Sequence, residues 1–368
     1  MEPKSQFDPA KPFNDLPSLP PDPGLYETPG LLKLEARARA AVSELKGYAH
    51  VIPNQEILIN AIVLREAKDS SEIENIVTTQ DQLYRAAAAG SARSIDPAAK
   101  EVLRYRDALW DGFYKVRTRG IITIPDVMEI QRIIVENDAG VRKTPGTALV
   151  NDRTGETVYT PPHDEARING LLSNLATYLN DNDDSIAKSA IIHYQFEAIH
   201  PFYDGNGRTG RIINVLYLVL KHHLEIPILY LSSQIIAKRT EYYRLLRGVT
   251  SDEAWEDWIC FYLEAVETTA RQTIQTIRRI KELLDQTIEI VRSRAPRIYS
   301  KELVETLFEQ PYCKTAFIER ATGLERKAAS RYLHQLEDIG LLEGRKIGRE
   351  NIFVNTALTK QLADAPGT

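Results

Sequence analysis

Apolar residues recur at spacings of three and four along most of the chain, the period of an amphipathic helix. LLKLEARARAAVSELKGYA, QEILINAIVLREAKDS and KEVLRYRDALWDGFYKV all carry such a stripe, and PDVMEIQRIIVEN opens on a proline, a residue suited to a helix start. The pattern returns in DEARINGLLSNLATYLN, SIAKSAIIHYQFEAIH, RIINVLYLVLKHH and a long run from EAWEDWICFYL to IEIVRSR. One stretch differs. TPGTALVNDRTGETVYTPP alternates, places Gly155 after Asn151, Asp152 and Arg153, and predicts a short β-hairpin closed by prolines. The first thirty residues hold Pro3, Pro9, Pro12, Pro17, Pro20, Pro21, Pro23 and Pro29 and predict an extended arm rather than a folded unit. The fold class is therefore all-α with a small hairpin. An arm over 1–30, a helical region over 31–115, a helical core over 116–295 and a last unit over 296–368 divide the sequence.

That last unit begins where Pro296 breaks a long helix. SKELVETLFEQ, KTAFIERATG and RKAASRYLHQLEDIGLL give three helical patterns, and EGRKIGRENIFVN predicts a hairpin. The order resembles a winged helix-turn-helix, with Gly323 in the turn and LERKAASRYLHQL as its recognition helix. Nine basic and nine acidic residues balance between Lys301 and Glu350. DNA contact through Arg326, Lys327, Arg331, Arg345, Lys346 and Arg349, and docking of a protein or of a second copy as a homodimer, both stay open.

Composition narrows the class. A chain of 368 residues with 43% hydrophobic and 26% charged content can bury a sizeable core in two or three domains. The longest apolar run, IINVLYLVL, is too short to span a bilayer, and MEPKSQFDPA lacks the charged-then-apolar order of a secretory signal. A cytoplasmic protein with no membrane partner is expected. Cys260 and Cys313 lie far apart without a metal-binding cluster, so neither a disulfide framework nor a zinc site is indicated. A net charge of -5 argues against indiscriminate nucleic-acid binding.

The chemistry concentrates in HPFYDGNGRTGR, residues 200–211. Gly205, Gly207 and Gly210 have the spacing of a dinucleotide fingerprint, with Glu225 downstream, but that fingerprint requires a preceding strand. Here Ile186, Ala190, Ile191, Tyr194, Ala198 and Ile199 follow a helical stripe instead. The loop thus joins two helices. Gly205, Asn206 and Gly207 leave backbone N–H groups to converge at the next helix start, an anion-binding arrangement. Arg208 and Arg211 fall in that helix's first turn, where the macrodipole disfavours each cation by about 0.3–1 kcal/mol. Such a pair beside a glycine nest suits clamping of a polyphosphate. Asp204 is either a turn residue or the lone carboxylate that Mg²⁺ takes beside phosphates. His200, just before Pro201, can turn its ring to the loop and serve as a base near pKa ~6.5. His193 reads as structural, and Phe202 as an apolar anchor.

HPFYDGNGRTGR matches the Fic-family motif, His-x-Phe-x-Asp/Glu-Gly-Asn-Gly/Lys-Arg-x-x-Arg, at every defining position, and the chain resembles that family. The resemblance implies a Fic-fold helical core with a β-hairpin flap, and transfer of AMP from ATP to a Ser, Thr or Tyr hydroxyl of a target protein or of the chain itself. By the match, His200 would be the general base and Asp204 the Mg²⁺ ligand. Gly205, Asn206, Gly207, Arg208, Thr209, Gly210 and Arg211 would bind the nucleotide. Glu156, Thr157, Val158 and Tyr159 would form the flap that aligns the target by strand addition. In RTEYYRLL, Tyr242 takes the position that contacts the adenosine, with Tyr243 as the alternative. SSEIEN resembles the family's inhibitory motif, Ser/Thr-x-x-x-Glu-Gly/Asn, through Ser70, Glu74 and Asn75; Glu74 would pair with Arg211 and occupy the place of the γ-phosphate. A DNA-binding regulator that uses the same core as a nucleotide sensor is the other reading. His200 favours the enzyme, since a sensor needs no base.

Overall fold

The computed structural model describes residues 7–89, 96–150, 154–347 and 350–363. In chain order the elements are α1 (Pro29–Tyr48), α2 (Gln55–Ile73), α3 (Gln80–Ala89), α4 (Pro97–Arg119), α5 (Ile124–Val135), β1 (Leu149–Val150), β2 (Thr157–Tyr159), α6 (Glu165–Asn180), α7 (Ala187–Ile199) and α8 (Asn206–Leu220). They continue as α9 (Ser232–Ala237), α10 (Arg239–Asp252), α11 (Trp255–Arg294), α12 (Lys301–Glu309), β3 (Tyr312–Cys313), α13 (Thr315–Thr322), α14 (Arg326–Asp338), β4 (Glu343–Ile347), β5 (Glu350–Val354) and α15 (Thr356–Ala363). The helical patterns in the sequence fall on α1, α2, α4–α8 and α11–α14. Asn151, Asp152 and Arg153, expected in the hairpin turn, lie outside the described residues, as do Pro3 of the arm and Arg349 of the C-terminal hairpin. Among the described residues no helix is long and apolar enough to cross a membrane.

The chain forms two compact units, each from two separate stretches: 1–43 with 104–269, and 44–103 with 270–368. Their boundaries fall inside α1, α4 and α11.

In the first unit α7 is the central element. Every one of its residues except Glu197 is buried, as expected of a helix enclosed on all sides. It packs on α6 and α8, and α5 packs on both of these. Burying side chains such as Ile192, Phe196 and Ile199 contributes about 1.5–3 kcal/mol each. Trp258, fully buried, donates its indole N–H to the Ala190 carbonyl at 2.8 Å. The entry of α5 is fixed locally by a capping box: Thr123 Oγ1 accepts from Asp126 N at 3.3 Å while Asp126 Oδ2 accepts from Thr123 N at 3.1 Å. Asp164 caps α6 by accepting from Arg167 N at 2.8 Å. The hairpin is present: β1 and β2 pair antiparallel, Leu149 with Tyr159 and Val150 with Thr157.

The described part of the arm is largely irregular, with a 3₁₀ turn at Pro23–Leu25, and it is docked on the helices of the first unit. Leu16 is fully buried, Asn174 on α6 exchanges two hydrogen bonds with the backbone of Leu19, and Gln195 on α7 donates to the Pro17 carbonyl at 2.8 Å. Proline removes backbone donors, so these carbonyls are bonded by side chains of the helices beneath.

In the second unit the C-terminal elements share a core with the helices before them in sequence. α12, α13 and α14 pack in succession, and β3, β5 and β4 form an antiparallel sheet in that order. Gly323 ends α13 in the left-handed conformation, φ 71°, the turn position expected of it. α2 packs on α12, and α3 on β3. Asn54, which caps α2, also donates to Glu305, and Tyr84 stacks on Tyr312 with centroids 5.6 Å apart.

Candidate active site

His200 to Arg211 form the turn between the two most buried helices of the first unit. α7 ends at Ile199, and His200 is its cap residue, in the left-handed region at φ 47°. Its N–H still bonds the Phe196 carbonyl at 3.0 Å. Phe202 is fully buried against Phe196 and anchors the turn, as expected. Asn206 completes the closure from inside. Its Oδ1 accepts from Phe202 N at 2.9 Å, and its Nδ2 donates to the Phe202 carbonyl at 2.8 Å. The Asn of the motif is therefore the brace of the loop.

Gly205 caps α8 at φ 80°, a conformation that L side chains rarely adopt. A Cβ there would also stand 2.9 Å from Val135 Cγ1 on α5, and one on Gly210 would stand 2.8 Å from Glu197 Oε1 on α7. Both glycines allow close approach of α8 to its neighbours. No side chain caps α8 and no acid lies in its first turn. A helix start lacking both attracts anions through its unbonded N–H groups and its dipole. Arg208 and Arg211 are 2% and 6% exposed, so neither is a solvated surface side chain. Asp204 is 68% exposed at its side chain; one carboxylate oxygen accepts from Gly205 N at 2.6 Å and lies 3.3 Å from Arg208 Nη2. Gln131 on α5 donates to the Asp204 carbonyl at 3.0 Å, a support that carries no motif signal.

His193 is structural, as expected. It is 1% exposed, with Nε2 2.7 Å from the Tyr242 hydroxyl and Nδ1 2.8 Å from Asn214 Nδ2. Burial, reinforced by the charge of Arg211, pulls its pKa down to about 3, so it is a neutral ring. This contact bears on Tyr242. That ring is 3% exposed, in a cluster with His193, Trp258 and Phe261, whereas Tyr243 is 48% exposed. Tyr242 thus faces the inner side of α10 and Tyr243 its accessible side.

On the hairpin, Glu156 is exposed and Thr157, Val158 and Tyr159 are half-buried. Tyr159 turns inward: its hydroxyl donates to the Ala198 carbonyl at 2.8 Å and its ring packs on Phe7 and Phe13.

Ser70, Glu74 and Asn75 belong to the second unit. Ser70 is fully buried on α2, Glu74 caps that helix, and Asn75 follows in the left-handed region at φ 63°. A helix commonly ends on such a residue, and Gly or Asn adopts it most readily. The Gly/Asn of the motif is thereby explained as the stop that leaves the glutamate at the helix end.

Three family models match successive parts of the chain: the Fic/DOC family N-terminal model over residues 32–114, the Fic/DOC family model over 121–218, and a model described as the protein adenylyltransferase SoFic-like C-terminal domain over 283–358. The chain belongs to the Fic/DOC family. A relative, the protein adenylyltransferase fic-1 of Caenorhabditis elegans, is 32% identical over 133 residues, 34% of this chain and 23% of that one. The chain thus matches about a quarter of that relative's length. Among solved structures, a Fic family protein from Desulfovibrio desulfuricans aligns with a TM-score of 0.53 at 19% identity, over 89% of this chain and 97% of the other. Fic-1 from Caenorhabditis elegans aligns with a TM-score of 0.53 at 19% identity, over 68% and 73%. These likenesses show a Fic fold: mostly helical, with small antiparallel sheets.

Proposed function

We propose that this Fic/DOC chain is a protein adenylyltransferase, moving AMP from ATP to a Ser, Thr or Tyr hydroxyl of a target protein and restrained by its own Glu74. The observation that carries the reading is the uncapped start of α8 with two buried arginines beside it, directly after His200. His200 takes the proton of the attacking hydroxyl. The hydroxyl oxygen bonds to the α-phosphorus, the bond to the β-phosphate bridge breaks, and pyrophosphate leaves with that electron pair. The N–H groups of α8 and the guanidinium groups of Arg208 and Arg211 orient the phosphates. The edge of β2, Thr157 to Tyr159, aligns the target backbone.

Mg²⁺ fits this site through a single protein carboxylate. Asp204 is well exposed at the mouth of the α8 start, and one carboxylate beside substrate phosphates is the usual donor set for this ion. Bound there, the ion would offset the charge that builds on the phosphates.

Glu74 supports the autoinhibition reading by its position. It sits at the C-terminal end of α2, where the macrodipole disfavours an acid by about 0.3–1 kcal/mol, just as the start of α8 disfavours Arg208 and Arg211. Charges at the wrong ends of two helices are explained if each meets its opposite, Glu74 pairing with Arg211 when the γ-phosphate is absent. The decisive experiment incubates the protein with α-labelled ATP and Mg²⁺ and follows label on the chain itself. His200→Ala is expected to lower labelling by about 10²–10⁴ while ATP binding persists. Full labelling by that variant excludes the mechanism.

A further inference from the structure

We infer that Arg142 is a positioning residue for the transfer, a single buried guanidinium that sets both the loop end carrying His200 and the exit of the β1–β2 hairpin. The inference rests on the reading of His200 as the base. Arg142 is 1% exposed and lies in the segment between α5 and β1, which carries no motif. Burial lowers its pKa, yet a guanidinium keeps its proton in a protein. Among the described residues no carboxylate pairs with it. Nε and Nη2 donate to backbone carbonyls: Nε to His200 at 2.7 Å, Nη2 to Ile199 at 3.2 Å, and Nη2 also to Pro162.

The surroundings extend the same grip. Arg142 N donates to the Pro201 carbonyl at 2.9 Å, and the Tyr159 hydroxyl donates to that of Ala198 at 2.8 Å. The carbonyls of residues 198, 199, 200 and 201 are thus bonded in succession by Tyr159 and Arg142. The N–H of Lys143 donates in turn to the Tyr203 hydroxyl at 3.0 Å. A helix end leaves its last carbonyls without intrahelical partners, and a cation is favourable there. Such a cation could serve α7 from anywhere near its end. What assigns a functional role is the choice of acceptors, because His200 is itself held in the left-handed region, uncommon for a residue with a side chain. Its ring direction follows from that backbone. The planar fork that fixes it also holds Pro162, three residues past the strand that aligns the target in the proposed function. The base and the attacking hydroxyl are then positioned from one point. A lysine, with one ammonium and no planar fork, cannot span these acceptors.

The test uses the full chain with Arg142→Lys. ATP affinity is expected to stay near the parent and the melting temperature to fall, because buried carbonyls lose their partner, while kcat for self-labelling, measured well below the melting transition, falls about 10²-fold, the effect of a misplacement of about 1 Å. A helix-capping role alone would lower the melting temperature without this loss of kcat. The His200 ring resonance, assigned with His200→Gln, is expected to shift in Arg142→Lys while that of His193 stays. This second readout needs no activity, so inactivity of both the parent and Glu74→Gly would refute the adenylyltransferase reading and leave the positioning of His200 still measurable. Should Arg142→Lys not fold, Tyr159→Phe, which releases only Ala198, is expected to give a weaker form of the same kcat loss and resonance shift. Parent-level kcat with an unmoved His200 resonance overturns the inference, and so does a loss of activity no larger than the loss of ATP binding.

Discussion

Asn206 and Phe202 are joined twice, side-chain oxygen to backbone N–H and side-chain nitrogen to backbone carbonyl, both buried. Asn206→Ala removes both partners from a backbone that water cannot reach, which costs about 1–3 kcal/mol for each group left unpaired. The expected result is a lower melting temperature together with reduced self-labelling. Asn206→Asp keeps the acceptor but sets a carboxylate oxygen against the Phe202 carbonyl in a buried site, and is expected to be no more stable than Asn206→Ala. Calorimetric melts of the three proteins give the order directly.

Glu74→Gly is expected to raise self-labelling by up to ~10²-fold, since a realigned γ-phosphate restores in-line geometry. Arg211→Ala is expected to lose labelling with or without Glu74. Equal labelling by the parent and Glu74→Gly would refute autoinhibition and leave the catalytic assignment standing.

Asn75 extends that test to the backbone. Asn75→Gly suits φ 63° and is expected to leave the brake in place. Asn75→Val forces a β-branched residue into a strained region at about 1–3 kcal/mol. The end of α2 should fray and labelling should rise without any change to Glu74, as time courses of the two variants would reveal.

His193 makes stability depend on pH. Its folded pKa of about 3 lies below the ordinary 6.5, so the unfolded chain binds the extra proton between those values. Stability from this group is complete above pH 6.5 and is lost as pH falls toward 3, with a slope of at most about 1.4 kcal/mol per pH unit. His193→Gln is expected to be less stable at neutral pH but to have a flatter melting temperature between pH 7 and 5. An unchanged slope would mean that His193 is not the group responsible.

For the C-terminal elements we expect no DNA complex at ~0.15 M salt, where exposed charges are largely screened. Arg345 is engaged by Glu343 and Asp81, and Lys314 by Glu350, which leaves exposed Arg326, Lys327 and Arg331 on α14 and Lys346 on β4. A mobility shift of duplex DNA by the full chain that Arg326→Ala with Arg331→Ala abolishes would assign DNA instead of protein docking.

The long helices and the loop from His200 to Arg211 were legible because their signals are local: a period of three and four, caps, and glycines whose spacing is meaningless without a preceding strand. α3, α9 and α10 were not predicted as elements, although α10 buries Tyr242, Leu245 and Val249 at helical spacing; α9 has only six residues and β3 spans two. Arg142 and Gln131 escaped for another reason. Each acts on backbone carbonyls tens of residues away, and a carbonyl has no sequence signature. Which of Tyr242 and Tyr243 is buried could not be read from RTEYYRLL, since it depends on His193 and Trp258 arriving from other helices.

The packing of α2 on α12 and of α3 on β3 limits how such a chain can be rearranged by recombination. Pro296 looks like a seam at which a C-terminal module could be traded between relatives. The helix ending in Glu74 nevertheless completes its core with residues beyond that seam. A graft made there would expose an apolar face on α2 and loosen the helix end that bears the glutamate, so the two stretches must be inherited as a matched pair.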